Sequence, residues 1–494
     1  MTENLKRYGH YIAGEEVPPA DGVYFPTDNP YTGKAWAEIA RGREDDVNRA
    51  VAAAKSAFHS GVWPTLTATE RGKLLHAMGD QIAQNAEHLA ETERRDNGKL
   101  KAEVLKQIRY MAEYFYYYAG MADKIEGKVI PTDKEGVFAY TKNEPKGIVA
   151  IITPWNSPLT LTSWKLAPAL ATGCTAVIKP SEYTSASMIE MARMFKAAGF
   201  PDGVVNVVTG FGAEVGVPLV SHPDVAHVGF TGGEGAGIAI YQLAAKGLKT
   251  VTLELGGKSP NIVFDDANFD QAVKGVVSGI FAAAGQTCVA GSRLLVQENV
   301  HDEFVGRLIE FVKHAKLGDP GLEDTQIGPI ATKPQFEKIL SYIEIAKAEG
   351  AKCVLGGKSR PDLGSGQFIE PTIFTGVDNK MRIAQEEVFG PVLSVIKFKD
   401  VEDAIRIGND VMYGLAAGLW TQSLDRAMRV SDKLQAGSIW VNNYRSTSFT
   451  SPFGGFKRSG VGRESGSNAM LEFLEVKTVW ISTDLDVPNP FIRR

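Results

Sequence analysis

Residues 147–152, GIVAII, open a stretch in which apolar runs and helical segments alternate. Four further runs follow: CTAVI at 174–178, GVVNVV at 203–208, VAHVGF at 225–230 and KTVTLE at 249–254. Continuous β-branched runs separated by helices predict a parallel sheet covered on both faces. Such a sheet binds ligands beyond the carboxyl ends of its strands. The fold class expected is α/β.

Upstream, residues 45–59, 68–95 and 99–122 read as amphipathic helices, with Thr67 and Thr69 placed to cap the second. Residues 125–146 change character and predict two short strands around a polar turn, a protruding hairpin or edge ribbon. Beyond Pro260 a second α/β series begins. It comprises helices at 267–284, 302–315, 401–409 and 424–434, and strands at 293–298, 392–398, 414–420 and 438–442. The boundary between the two series is placed near Gly256–Gly257. No linker rich in Pro or Ser marks it, and no repeat is visible.

The chain has 494 residues, 44% hydrophobic and 22% charged. These are ordinary globular values, and they exclude a disordered chain. Net charge is −5, so no basic field points to nucleic acid. Three cysteines, Cys174, Cys288 and Cys353, are too few for a disulfide framework and fit a reducing compartment. The eight histidines are scattered, and no metal site is expected. The N-terminal residues lack a signal-peptide core, and the long apolar region 147–177 is broken by Pro154, Asn156, Pro158, Lys165 and Pro168. A cytoplasmic protein without membrane partners is expected.

Five places carry residues suited to chemistry. Cys288, in GQTCVAGSR, sits in a polar loop closing an apolar helix; the bland alternative is a buried structural thiol, the reading kept for Cys174 and Cys353. Glu254 ends the run TVTLE and precedes Leu255-Gly256-Gly257-Lys258, with a solvated loop acid as the alternative. Asn156 follows Thr153-Pro154-Trp155 and can donate its amide to an oxyanion, or simply make a turn. Lys179-Pro180-Ser181-Glu182 ends another strand run, where an acid can accept ribose hydroxyls. Phe230-Thr231-Gly232-Gly233-Glu234 lies between a strand and a helix, a position suited to phosphate. Gly210-Phe211-Gly212 with Gly216 is a weak glycine pattern.

Taken in order, these segments resemble the aldehyde dehydrogenase superfamily, in its NAD(P)-dependent hydrolytic branch, from about residue 8 to 482. The resemblance rests on Glu254-Leu-Gly-Gly-Lys-Ser259, Gly285-Gln-Thr-Cys288, Pro154-Trp-Asn156, Lys179-Pro-Ser-Glu182, Phe230-Thr-Gly232, Glu386-Glu-Val-Phe-Gly-Pro391 and Ser451-Pro-Phe-Gly-Gly455. It implies a Rossmann-like nucleotide-binding domain from 1–122 and 147–256. It further implies an α/β catalytic domain from 257–458, and a small β oligomerisation ribbon with the C-terminal tail from 123–146 and 459–494. A homo-oligomer, dimer or tetramer, follows from the same likeness.

The reaction implied is oxidation of a small-molecule aldehyde to a carboxylate. Cys288 would be the nucleophile, Glu254 the general base, Asn156 an oxyanion donor and Lys165 a further catalytic candidate. NAD is the cofactor implied, with NADP as an alternative. Its binders would be Ile152, Thr153, Pro154, Trp155, Lys179, Ser181, Glu182, Gly212, Phe230, Thr231, Gly232, Gly233, Leu255, Glu387 and Phe389. Gly233 departs from the family pattern, which commonly has Ser there; Glu234 and Gly235 depart too. The substrate tunnel would be lined by Ser157, Leu161, Trp164, Thr287, Val289, Thr447 and Phe453. Arg445 either grips a substrate carboxylate or pairs within its own loop. Three rival readings are a coenzyme-A-acylating dehydrogenase, a non-catalytic binding or structural protein on the same fold, and a Rossmann alcohol dehydrogenase.

Overall fold

The computed structural model describes residues 5–483 and 489–492. Its architecture is α/β, as the alternation predicts. The five apolar runs form neighbouring parallel strands, ordered Thr250–Glu254, Val225–Thr231, Ile148–Ile152, Thr175–Lys179, Val205–Val207. The chain starts at Ile148–Ile152, winds outward on one side, then crosses back to Val225–Thr231 on the other. That reversal leaves a crevice beyond Ile152 and Thr231, where open α/β sheets receive ligands. His10–Ile12 and Glu15–Val17 extend one edge antiparallel.

The second series forms a seven-stranded sheet, ordered Lys352–Leu355, Thr372–Thr375, Val392–Phe398, Arg293–Gln297, Pro260–Val263, Ala416–Trp420, Ser438–Val441. Only its Lys352–Leu355 edge is antiparallel. Residues 125–146 supply Val129–Ile130 and Val137–Pro145, and Leu474–Ser482 pairs antiparallel along the whole second strand. The described residues after 459 contribute to two sheets, Leu474–Ser482 to the ribbon and Gly460–Val461 to the first sheet. Gly460–Val461 pairs with Leu253–Glu254 and adds an antiparallel edge to the first sheet. Among the described residues no helix is long and apolar enough to cross a membrane.

Two predicted helices are shorter than their patterns. The stretch 68–95 divides into Ala68–Gln84 and Ala86–Asn97, because Asn85 ends the first turn-on-turn ladder. Thr67 caps the first with a reciprocal box to Glu70. The stretch 267–284 stops at Ile280, where the backbone turns left-handed before Cys288.

Candidate active site

The residues around Cys288 are delivered by a strained loop. Ala283 and Ala284 have φ of 52° and 51°, and Gly285 follows at 71°. Left-handed alanine costs about 1–2 kcal/mol, so packing must impose it. The packing is visible at Gly285: a Cβ there would stand 2.1 Å from the Gly390 carbonyl oxygen. Gln286, buried, anchors the far side by accepting from the Ala331 N–H at 2.9 Å. The thiol that results is half-buried.

A cavity of about 150 Å³ opens at this thiol, in the crevice between the sheets. Cys288, Glu254, Asn156 and Leu161 line its inner part. Pro154, Trp155, Thr231, Gly232, Gly233 and Leu255 line the side facing the first sheet, with Glu387 and Phe389 opposite. Gly256, Gln335 and Lys338 also line it and were not among the sequence candidates. Gln335 and Lys338 lie on the helix Lys333–Ala348, whose apolar face packs on the core through Ile339, Ile343 and Ala346. Gln335 donates to the Val388 and Phe389 carbonyls at 2.8 and 2.9 Å, which fixes the left-handed Phe389. Trp155 meets the Phe389 ring edge-on at 5.4 Å.

The electrostatics of this cavity are dominated by carboxylates. Glu254 is buried, and neither carboxylate oxygen has a hydrogen-bond partner. Burial first, then the neighbouring Glu464 charge, push its pKa well above the ordinary carboxylate range, against the pull of Lys165 and Arg463. Lys165 is itself buried and ion-paired with Glu464 at 2.6 Å, and it also donates to Thr231 Oγ1. Glu464 gave no sequence signal beyond an acid in a glycine-rich loop. Burial, then Glu387 and Glu254, push the Cys288 thiol up to about 12. The unshifted value would leave about 3% thiolate at neutral pH. The free protein therefore holds a thiol, and attack needs its proton removed as it occurs.

Asn156 Nδ2 donates to the Gln286 carbonyl at 3.0 Å, which orients the amide beside Cys288 and leaves a second N–H available. Glu387 accepts from Gly257 N–H at 3.0 Å, and a Cβ at Gly256 would meet its carboxylate at 2.4 Å. The paired glycines thus make room for that side chain. Phe230 is buried behind Gly232, and Ile152 and Thr153 are buried at the end of their strand.

The other candidates are not among the residues that line this cavity. Lys179 donates to the Pro180 carbonyl at 2.9 Å and stands 3.7 Å from Glu182, with Ser181 in the same turn. Gly212 begins a short wide helical turn, Gly212–Gly216, with open space over its Cα. Thr287 and Val289 flank the thiol. Trp164 meets the Phe453 ring at 5.2 Å and stacks on Tyr114 at 5.6 Å. Ser157 accepts from the buried Lys99 ammonium at 2.9 Å, and the Thr447 carbonyl accepts from Tyr110. Arg445 is not paired within its own loop. It donates to the Ser278 carbonyl at 3.1 Å and lies 3.5 Å from Glu103, on the helix Lys101–Met121.

A thiol, a buried base and an amide donor beside an open dinucleotide-type crevice define an oxidoreductase of the covalent, thiol-dependent kind. Residues 17–479 match the aldehyde dehydrogenase family, and the chain belongs to that family. It is 47% identical over 493 residues to (Z)-2-((N-methylformamido)methylene)-5-hydroxybutyrolactone dehydrogenase of Acinetobacter baylyi, covering 99% of this chain and all of that one. It is 47% identical to an aldehyde dehydrogenase of Aspergillus niger, over 95% and 94% of the two chains. Betaine aldehyde dehydrogenase of Staphylococcus aureus, solved with NAD+, superposes with a TM-score of 0.97 at 42% identity, over 99% and 98% of the chains. An NAD+ complex of aldehyde dehydrogenase from Bacillus cereus gives 0.95 at 44% identity, over 97% of each.

Proposed function

We propose that this enzyme oxidises an aldehyde to a carboxylate with NAD+ as hydride acceptor and water as second substrate. The observation that carries the reading is the pairing, in one cavity, of the Cys288 thiol with an unpartnered buried Glu254 carboxylate. The cavity lining suits the nicotinamide and diphosphate end of a dinucleotide. Gly232 and Gly233 open the start of a helix, Glu387 stands over Gly256, and a Cβ at Gly233 would meet nothing within 4 Å. Thr231, Gly232, Gly233, Trp155, Leu255, Glu387 and Phe389 would hold the phosphate and nicotinamide end, and Lys179, Ser181, Glu182 and Gly212 the adenosine end. Bound there, NAD+ takes up the hydride released from the substrate carbon.

The chain's residues do the rest. Cys288 Sγ adds to the aldehyde carbon as its proton leaves to solvent, directly or by way of Glu254, which is ionised again before deacylation. The second Asn156 N–H and the Cys288 backbone N–H receive the oxyanion, each such donor being worth about 10²–10³ in rate. Loss of hydride leaves a thioester on Cys288. Glu254 then takes a proton from water, which displaces the thiolate and releases the acid. A buried base next to the thioester supports water over coenzyme A as the acceptor. Glu182, which would accept a 2′-hydroxyl and repel a 2′-phosphate, supports NAD+ over NADP+.

The substrate tail is read as polar. Ser157 is held by a buried ammonium, and Thr447 adds a second hydroxyl. The hydroxybutyrolactone named for the Acinetobacter relative is likewise oxygen-rich. Arg445 already has a carboxylate in Glu103, which weighs against its gripping an acid. We also propose division into nucleotide-binding and catalytic domains along the two sheets, a cytoplasmic location, and a homo-oligomer joined through the ribbon.

The test is NADH formation, followed by near-ultraviolet absorbance, across apolar, hydroxylated and carboxylated aldehydes without coenzyme A. Formation that disappears in Cys288→Ala is the expected result. Equal rates in that variant, or an absolute need for coenzyme A, would reject the reading.

A further inference from the structure

The helix Glu234–Lys246 starts at the cavity wall, directly after Gly232 and Gly233, and its first residue is an acid. A carboxylate in a first turn suits the helix but opposes an anionic ligand at the same backbone N–H groups. Another acid, Glu387, lines the cavity itself; burial raises its pKa, and the charge of Glu234 adds to that. The positive side chain on the cavity wall is Lys338. An anionic diphosphate therefore meets an unfavourable balance unless Glu234 is neutralised.

It is neutralised from the other sheet. Arg458 forms an ion pair with one Glu234 oxygen, and Tyr413 Oη donates to the other at 2.8 Å. Both come from one small ribbon, in which Tyr413–Gly414 pairs with Phe456–Lys457. The ribbon is fixed to the cavity wall: Ser459 Oγ donates to the Gly256 carbonyl at 2.7 Å, and Leu255 N–H donates to the Ser459 carbonyl at 2.9 Å. The helix rests on the core through Gly237, Ile240, Leu243 and Ala244, so its first turn is held to the cavity wall by the Glu234 contacts.

We propose that Arg458 is a positioning residue for cofactor affinity: by holding Glu234 on itself and Tyr413, it keeps the helix N-terminus open to a dinucleotide diphosphate. The inference rests on the NAD+ reading of the cavity. It concerns binding rather than the chemical step, so it is tested without aldehyde.

NAD+ and ADP-ribose are titrated calorimetrically into the parent, Arg458→Gln, Glu234→Gln and the double variant. Arg458→Gln is expected to weaken both ligands about five- to tenfold, Glu234→Gln to tighten them, and the double variant to return near the parent. The turnover rate at saturating NAD+ should hold in all four, so that the change falls on KM. Arg458→Lys keeps the charge and should stay within about threefold of the parent. The proposal is overturned if Arg458→Gln binds like the parent. It is equally overturned if the double variant is as weak as Arg458→Gln, which would make Arg458 a direct phosphate ligand, or if Glu234→Gln alone weakens binding. A parent that binds neither ligand would instead remove the cofactor reading itself.

Discussion

Glu254 and Glu464 form the most telling residue-scale arrangement. Two buried carboxylates share one lysine, and Glu464 holds it at 2.6 Å. Glu254 is left to carry the cost of burial, which makes it a stronger base than an exposed glutamate. The sign of the pH effect follows. In the proposed mechanism deacylation needs Glu254 ionised, so the rate should climb with pH through a limb lying above the usual carboxylate range. Glu464→Gln removes a negative neighbour and frees Lys165 to act on Glu254, and both changes lower its pKa. The limb should move to lower pH in that variant, read from kcat between acid and neutral buffers; an unmoved limb would assign it to another group. Glu254→Gln should still give close to one equivalent of NADH per Cys288 in a single turnover. Steady-state turnover should then fall about 10²–10⁴-fold, the usual worth of a general base, with an acyl group trapped on the thiol by mass.

At the scale of elements, the loop 281–288 shows how rigidity is supplied. Three successive left-handed residues would unwind if free, and the contact between Gly285 and Gly390 prevents it. Gly285→Ala adds a Cβ where none fits and should displace Cys288. A fold preserved by circular dichroism with activity down about a hundredfold is expected, the cost of misplacing a reacting atom by about 1 Å. The opposite change is expected at Gly233, where φ is ordinary and space is open. Gly233→Ser should tighten NAD+ by about two- to fivefold, one added hydrogen bond, measured by titration. Much of this was legible in the sequence. The polar loop around Cys288 and the glycines after Glu254 announced themselves by residue type. Gln335 and Lys338 did not: the apolar face of their helix, Phe336, Ile339, Leu340, Ile343 and Ala346, marks a helix packed on the core, and a Gln and a Lys on its polar side carry no sign that a cavity lies beside them. The kink at Ala283 was equally silent, since alanines predict continued helix and only the tertiary contact at Gly390 overrides them.

For the whole molecule, the five parallel strands were readable because each is locally apolar. Their order was not, because it depends on which segments return from far along the chain. Gly460–Val461 is the clearest case. It is too short to carry a pattern, yet it closes the sheet beside Glu254 and ties the end of the chain to the site. The ribbon poses the remaining question at this scale. Leu474–Ser482 runs antiparallel to Val137–Pro145 over nine pairs, and among the described residues both outer edges of the three-stranded ribbon have no further strand. Val129, Val476, Trp480 and Ile481 are exposed on it, Trp480 by 59%. Long exposed strands with apolar side chains invite another chain unless they are covered. In the proposed homo-oligomer a second copy would cover them, with the ribbon already ordered by its own pairing. Trp480→Asp places a charge at the centre of that surface without touching the cavity. Light scattering after gel filtration should show the parent at a multiple of the chain mass and the variant at a smaller one, with NAD+ affinity retained. A parent that elutes as a single chain would leave the ribbon without this role, and an unchanged variant would move the interface to another face.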